Sequence, residues 1–211
     1  MLFKPADICR LAKELQQGAI GVFPCDTLIG IVAAVTPPSI RRIQHIKQRP
    51  DSPFLVLLPN WQHLSSWAAP LETHHTRFLQ NIWPGPVSCL LPKHENVSND
   101  ITANSPYIGV RIPNFLPLNL LLNQTGMPLL STSLNRHGEA PVQHLDTCPN
   151  ELLTDLDFVY KDCVPRYNYP STIIKLNSCD FSIVRQGIMK FTCLSYTKPG
   201  HHLLTLDEGA G

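Results

Sequence analysis

Apolar residues occur along this chain in two different patterns, a helical spacing and short continuous runs, which predict alternating helices and strands. Residues 5–17 carry apolar side chains at the spacing of a helical turn, so we predict an amphipathic helix there. The runs AIGVF at 19–23 and IGIVAAV at 29–35 are short and continuously apolar, which is typical of buried strands. These two runs are joined too tightly for a helical crossover, so we expect a sheet that is not purely parallel.

The rest of the chain continues this alternation. A short helix is predicted between Ser39, as its N-cap, and Pro50, which ends it. The whole pattern predicts an α/β fold in which helices cover a twisted sheet of mixed parallel and antiparallel strands. The remaining strands are predicted at 54–59, after the WPGP turn, at 107–113, from Met127 into STS, and at 158–161, 171–176 and 181–185. The remaining helices are predicted at 71–82 and 114–124.

The composition narrows the class of protein. A length of 211 residues fits one domain, and a hydrophobic content of 43% argues against disorder. The net charge of +1 disfavours a protein held mainly by nucleic-acid phosphates. Seven cysteines without a Cys-x-x-Cys spacing indicate neither a disulfide framework nor a zinc site, so we expect a cytoplasmic protein. No segment predicts a signal peptide or a membrane span.

A polar turn separates the first two predicted strands. The segment FPCDTLIG presents Cys25, Asp26 and Thr27 where one strand ends and before the next begins. Ligands of α/β proteins often bind at strand ends, which favours a binding site. Asp and Thr are equally common in ordinary hairpin turns, so both interpretations stay open.

Two cationic residues close the short helix that follows the second strand. In the segment KQRP, Lys47 could give a phosphate a point charge and Arg49 a planar fork of donors. The same residues also suit the negative end of a helix dipole. Taken alone, the segment favours the dipole interpretation.

An apolar strand runs directly into the polar segment STSLNRHG. Its hydroxyl and amide groups could form a cradle for phosphate or carboxylate, or they could cap a local turn. Two arginines lie inside apolar strands, Arg111 in IGVRIP and Arg185 in SIVRQG. Such a residue either faces solvent or meets an anion, and two cases in one small protein favour anion sites.

The sequence contains no recognisable metal site or catalytic nucleophile. The histidine pairs at 74–75 and 201–202 are adjacent, so in a helix each pair points to different faces, and we predict no metal ligands. Cys25 has no cationic neighbour in sequence, which favours an inert thiol. The absence of a Walker-type glycine-rich loop excludes a P-loop ATPase.

Seven segments of the chain, taken in order, resemble the YrdC-like family, which is also known for threonylcarbamoyl-AMP synthases. The resemblance runs from about residue 5 to about residue 190 and leaves 191–211 as a C-terminal tail. It implies a single α/β domain with a concave, basic cavity. The segments are FPCDTLIG, KQRP, WPGPVS, IGVRIP, STSLNRHG, YPSTII and VRQG.

The resemblance implies an enzyme, a nucleotidyltransferase that condenses L-threonine, bicarbonate and ATP with its Mg²⁺. The products would be threonylcarbamoyl-adenylate and pyrophosphate. The adenylate would serve the modification of the tRNA adenosine next to the anticodon (t6A37). Downstream threonylcarbamoyl transferase proteins would then be partners, with tRNA or double-stranded RNA as a further candidate.

The resemblance also implies roles for individual residues. Lys47 and Arg49 would be the catalytic contacts to the ATP phosphates. The other nucleotide contacts would come from Ser131, Ser133, Asn135 and Arg185, and the threonine contacts from Thr27, Arg111 and Ser171.

Four positions depart from the family pattern. Cys25 stands where Thr is usual, Ile29 replaces Tyr, Pro53 replaces a second Lys, and Leu134 replaces a small Ala. We expect Pro53 to remove one phosphate contact and Leu134 to crowd the nucleotide. Two alternatives therefore stay open: a paralogue that binds RNA or the ribosome without synthase activity, and a structural protein with a vestigial pocket.

Overall fold

The helices and strands of the computed structural model follow the apolar periods of the sequence. The structure describes residues 5–48, 51–136, 138–178, 180–191 and 204–206. The helices are α1 (Pro5–Gln16), α2 (Pro37–Lys47), α3 (Thr73–Ile82), α4 (Asn99–Thr102), α5 (Leu116–Thr125) and α6 (Asn150–Leu153), with 3-10 turns at Trp61–Ser66 and Leu145–Thr147. The strands are β1 (Ile20–Pro24), β2 (Ile29–Ala34), β3 (Leu55–Leu57), β4 (Val87–Pro92), β5 (Tyr107–Arg111), β6 (Leu129–Ser133), β7 (Phe158–Val159), β8 (Thr172–Leu176), β9 (Phe181–Arg185), β10 (Met189–Phe191) and β11 (Leu204–Leu206).

Nine of these strands form one sheet, in the order β7-β1-β2-β6-β3-β5-β4-β8-β9. The tightly joined strands β1 and β2 pair antiparallel, as do β2 with β6, β3 with β6, β4 with β5, and β8 with β9. Three pairs are parallel: β1 with β7, β3 with β5, and β4 with β8. The predicted mixed sheet is therefore confirmed. Strands β10 and β11 pair antiparallel in a separate sheet.

Helices cover this sheet on both faces and divide the buried apolar residues into two cores. The larger core joins the sheet to α2 and α3 and includes Ile43 and Leu79. The smaller core joins the opposite face to α1 and α5 and includes Leu15 and Leu118. Because side chains alternate along a strand, each strand residue belongs to one of these two faces.

Helix α2 carries Lys47 to its position. Its N-cap is Thr36, whose Oγ1 accepts from the Ser39 backbone N–H at 3.3 Å, so the predicted cap at Ser39 is wrong. The helix ends at Lys47, and Gln48 follows with a left-handed φ of 52°. Its backbone N–H then closes the last turn by donating to Gln44 and His45 carbonyls. Lys47 is therefore the last helical residue.

The predicted boundary near residue 190 stays a prediction. Most of the predicted tail, at 192–203 and 207–211, lies outside the described residues. None of the described helices is long and apolar enough to span a membrane.

Candidate functional site

One face of the nine-stranded sheet carries the polar strand residues that the sequence singled out. In β5, Val110 enters the larger core, so its neighbour Arg111 lies on the opposite face. In β6, Leu130 enters the larger core, so Ser131 and Ser133 lie on the face of Arg111. Helices α1 and α5 cover part of this same face. The polar residues therefore belong to the face of the smaller core.

Hydroxyl and guanidinium groups from β4, from β9 and from Ser171, just before β8, meet on this face. Ser88 is paired with Ile173 in the sheet, and Ile173 is paired with Arg185. The Oγ atoms of Ser88 and Ser171 are 3.0 Å apart. Arg185 Nη2 donates to the Ser171 carbonyl at 2.9 Å and to its Oγ at 3.1 Å. Ser171 and Arg185, which the resemblance assigned to different ligands, are thus direct neighbours.

The turn between β1 and β2 reaches the end of β5 and contacts Arg111. Arg111 Nη1 donates to Thr27 Oγ1 at 3.1 Å, and Nη2 donates to Cys25 Sγ at 2.8 Å. Asp26 Oδ1 lies 3.4 Å from Nη2, and the two side chains are 0% and 2% exposed. The turn therefore gives the buried arginine a counter-charge as well as two uncharged partners.

Burial and neighbouring charges fix the protonation states in this turn. Burial, the largest single effect, lowers the pKa of Arg111, but the charge of Asp26 and the contact with Cys25 together outweigh it and raise that pKa overall, so the guanidinium stays charged. Burial raises the pKa of Cys25 to about 12, although Arg111 opposes this shift. Cys25 therefore remains a thiol, which donates to Asp26 Oδ1 at 2.9 Å while it accepts from Arg111.

Arg185 lies within electrostatic reach of Arg111. The pKa of Arg185 is lowered, first by partial burial and then by the positive charge of Arg111. An anion bound near Arg185 would offset the repulsion that the charge of Arg111 exerts on it. Arg111 is bonded to Thr27 and Arg185 to Ser171, so these four residues form the candidate anion site.

A second group of polar contacts surrounds Lys47, which is 4% exposed. Its Nζ donates to the Ser133 carbonyl at 2.5 Å, to the Asn135 carbonyl at 2.9 Å and to Asn135 Oδ1 at 3.0 Å. Ser133 Oγ also donates to Asn135 Oδ1 at 2.5 Å. Lys47, Ser133 and Asn135 are therefore brought together, and the ammonium group of Lys47 organises the loop after β6.

The two groups adjoin the same turn but are not joined by the hydrogen bonds that the structure describes. Gly30, three residues after Thr27, pairs with Ser133 in the sheet. Strand β3 separates β6, which carries Ser131 and Ser133, from β5, which carries Arg111. Arg49 lies outside the described residues. Its predicted phosphate contact stays a prediction, as do the other assigned roles and the concave basic cavity.

The roles of two residues of this site were not predicted from the sequence. Asp26 was placed in the turn but given no role, although an arginine inside an apolar strand needs a buried counter-charge. Ser88 lies in the apolar run VSCLLP and is 2% exposed, and a buried hydroxyl there was a signal for a polar partner.

The position of Leu134 gives no support to the expectation that it crowds the nucleotide, which stays a prediction. Leu134 is 0% exposed and packs in the larger core, on the face opposite to Ser133. Ile29 also packs in that core. These two departures therefore change the packing of the domain. Among the described residues, no three His, Cys, Asp or Glu side chains are grouped as metal ligands.

Comparison with known proteins identifies the family. The Sua5_yciO_yrdC family model, described as "Telomere recombination", matches residues 13–187. This span covers most of the chain, so the chain belongs to the Sua5/YciO/YrdC family.

Individual relatives agree with this assignment. The threonylcarbamoyl-AMP synthase of Wigglesworthia glossinidia brevipalpis is 22% identical over 86% of this chain and 94% of its own length. The putative threonylcarbamoyl-AMP synthase of Methanocaldococcus jannaschii is 29% identical over 85% of this chain and 84% of its own length.

Solved structures confirm the fold. P. abyssi Sua5, solved in complex with L-threonine, aligns with a TM-score of 0.83 at 22% identity, over 90% of this chain. This chain spans 57% of that Sua5 chain. E. coli YciO aligns with a TM-score of 0.77 at 23% identity, over 88% of this chain and 91% of its own.

Proposed function

We propose that this protein is a threonylcarbamoyl-AMP synthase, which condenses L-threonine, bicarbonate and ATP to threonylcarbamoyl-adenylate and pyrophosphate. Relatives that carry this name match the chain over most of its length. The observation that carries the proposal is the convergence of two arginines, each bonded to a hydroxyl-bearing residue: Arg111 to Thr27 and Arg185 to Ser171. This combination suits a substrate that has both a carboxylate and a hydroxyl group.

The threonine subsite is proposed around the β1–β2 turn. The carboxylate of L-threonine would bind Arg111, whose counter-charge Asp26 lies 3.4 Å away. The substrate hydroxyl would exchange hydrogen bonds with Thr27 and Ser171, as the resemblance implied. Arg111 is 2% exposed, so a carboxylate bound there is shielded from water and its hydrogen bonds gain strength.

The nucleotide subsite is proposed beside the Lys47 group. Ser131, Ser133 and Asn135 would contact ATP on one side, with Arg185 on the other. Lys47 would contribute by its charge while it holds the loop, and Arg49 would add a donor from the segment after α2. ATP would enter as its Mg²⁺ complex, because the metal neutralises phosphate charge in such reactions.

The proposed reaction needs no protein nucleophile. The amino nitrogen of L-threonine would first form a bond to the carbon of bicarbonate, with loss of water, to give N-carboxythreonine. A carbamate oxygen of this compound would then attack the α-phosphorus of ATP, and the bond from that phosphorus to the β-phosphate bridging oxygen would break. Negative charge then grows on the phosphate oxygens and on the leaving pyrophosphate. Held substrates and cationic donors such as Arg185 would supply the acceleration through positioning and electrostatic stabilisation.

The proposal extends to the fate of the product and to the location of the protein. The adenylate would pass to threonylcarbamoyl transferase proteins that modify the adenosine next to the anticodon of tRNA. We propose a cytoplasmic location, where these substrates and tRNA are present, and one domain over residues 5–190.

A pyrophosphate-release assay on the full chain tests the proposed function. We expect release that requires ATP, L-threonine and bicarbonate together, and a product with the mass of threonylcarbamoyl-adenylate. Omitting each substrate in turn provides the controls. A protein that binds ATP and L-threonine but releases no pyrophosphate would instead be a non-catalytic paralogue of the same fold.

A further inference from the structure

Asn168 is held against the turn that carries Thr27. Its two neighbours clamp the segment to that turn: the Tyr167 N–H donates to the Asp26 carbonyl and the Tyr169 N–H to the Thr27 carbonyl, both at 2.9 Å. Asn168 itself has a left-handed φ of 50°. Asparagine is one of the few residues other than glycine that tolerates this conformation. The backbone of Asn168 is therefore fixed beside the proposed threonine subsite.

Two buried polar atoms near this turn have no hydrogen-bond partner among the described residues. One is Asn168 Oδ1, an acceptor, and the other is Arg111 Nε, a donor. Leaving a buried polar atom without a partner is unfavourable, so such atoms are usually satisfied by water or by a ligand. The two atoms together suit a molecule that offers both an N–H donor and an anionic acceptor.

The other acceptors described around the turn are already in use. The carbonyls of Asp26 and Thr27 accept from the two tyrosine N–H groups, and the Ser171 carbonyl accepts from Arg185. Both Asp26 carboxylate oxygens are also engaged, Oδ1 by Cys25 and Oδ2 by the Asn114 N–H. An amino group that entered the subsite would therefore find its open acceptor at Asn168.

We infer that Asn168 is a recognition residue for the amino group of the substrate. Its Oδ1 accepts a hydrogen bond from the α-amino group of L-threonine, while Arg111 Nε donates to the carboxylate. This inference rests on the proposed function and deepens it, because it accounts for the choice of an α-amino acid over a hydroxy acid without an amino group.

The left-handed backbone makes a clean test available. Asn168→Gly removes the side chain but keeps a residue that favours positive φ, so the fold is retained. Asn168→Asp keeps an acceptor oxygen at the same position. The matched control is Asn104→Gly, which makes the same change at another left-handed residue, with φ 62°, that is exposed and lies after α4.

The experiment is calorimetric titration of the full chain with L-threonine, with ATP, and with 3-hydroxybutyrate by competition. The last compound keeps the carboxylate and hydroxyl of threonine but lacks the amino group. We expect Asn168→Gly to raise the Kd for L-threonine about tenfold, equivalent to about 1.4 kcal/mol, and to change the Kd for 3-hydroxybutyrate less than about twofold. ATP affinity and Tm stay as in Asn104→Gly, and Asn168→Asp recovers threonine affinity.

Each other outcome overturns the inference in a distinct way. Unchanged threonine affinity in Asn168→Gly removes Asn168 from the subsite. Equal losses for L-threonine and 3-hydroxybutyrate, or a loss of ATP affinity and Tm as well, mean that the side chain only supports the turn. If the unaltered protein binds no L-threonine, the proposed function fails and this inference fails with it.

Discussion

Replacing Lys47 with methionine removes the ammonium group that holds the loop after β6. Three oxygens of the described residues accept from Nζ: the carbonyls of Ser133 and Asn135 and the Asn135 side chain, at 2.5–3.0 Å. A hydrogen bond from a charged donor contributes about 1.5–3 kcal/mol. The three contributions do not add, since Asn135 Oδ1 keeps its bond from Ser133 Oγ and methionine keeps the apolar stem. We therefore expect a loss of about 2–3 kcal/mol.

Thermal unfolding measures this loss. For a chain of this size Tm falls by about 2–4 °C per kcal/mol, so we expect a decrease of about 4–12 °C. The matched control is Lys13→Met, which makes the same change at an exposed lysine in the last turn of α1. Both variants lose a favourable interaction with a helix dipole, worth about 0.3–1 kcal/mol, so the difference between them reports the three hydrogen bonds.

Pyrophosphate release by the same two variants, measured below both unfolding transitions, separates the two roles of Lys47. We expect Lys47→Met to lose most of its turnover and Lys13→Met to keep it. If Lys47→Met and Lys13→Met have the same Tm, the ammonium group does not hold the loop and the reasoning is refuted. Full turnover in a destabilised Lys47→Met protein would leave Lys47 a structural residue only.

Two further substitutions test the buried parts of the site. Asp26→Asn removes the counter-charge of the buried Arg111, so we expect the free energy of unfolding in urea to fall by about 3–5 kcal/mol, as for other broken buried pairs. A loss below about 1 kcal/mol would mean that another group balances the arginine. Leu134→Ala opens a cavity in the larger core, so we expect a loss of about 2–5 kcal/mol with unchanged ATP affinity. A rise in ATP affinity would instead support the prediction that Leu134 crowds the nucleotide.

The sheet could be predicted because apolar runs decide which segments are buried. The runs at 19–23 and 29–35 became β1 and β2, and their tight connection forced the antiparallel pairing that makes the sheet mixed. Helix α4 was missed, because a single helical turn is too short to display a period. The cap of α2 was misplaced, since Thr36 and Ser39 are both good N-caps and their local geometry decides between them.

The positions of the site segments could be predicted, but their contacts could not. Arg111 and Thr27 are 84 residues apart, and only the folded chain brings them within 3.1 Å. The same holds for Lys47 and Ser133, whose contact depends on where α2 ends relative to β6. A single sequence records which residues are unusual for their segment, such as an arginine among aliphatic residues. It does not record which unusual residues meet.

The alternation of side chains along a strand separates the departures from the family pattern into two kinds. Ser131 and Ser133 share one face of β6, so the next residue, Leu134, continues the face of Leu130 and enters the larger core. That orientation follows from the alternation of side chains alone. The alternation predicts no orientation in a turn, because the backbone there is no longer extended. Cys25 lies in such a turn and contacts Arg111, so a departure there acts on the site itself, while the departure at Leu134 acts on packing.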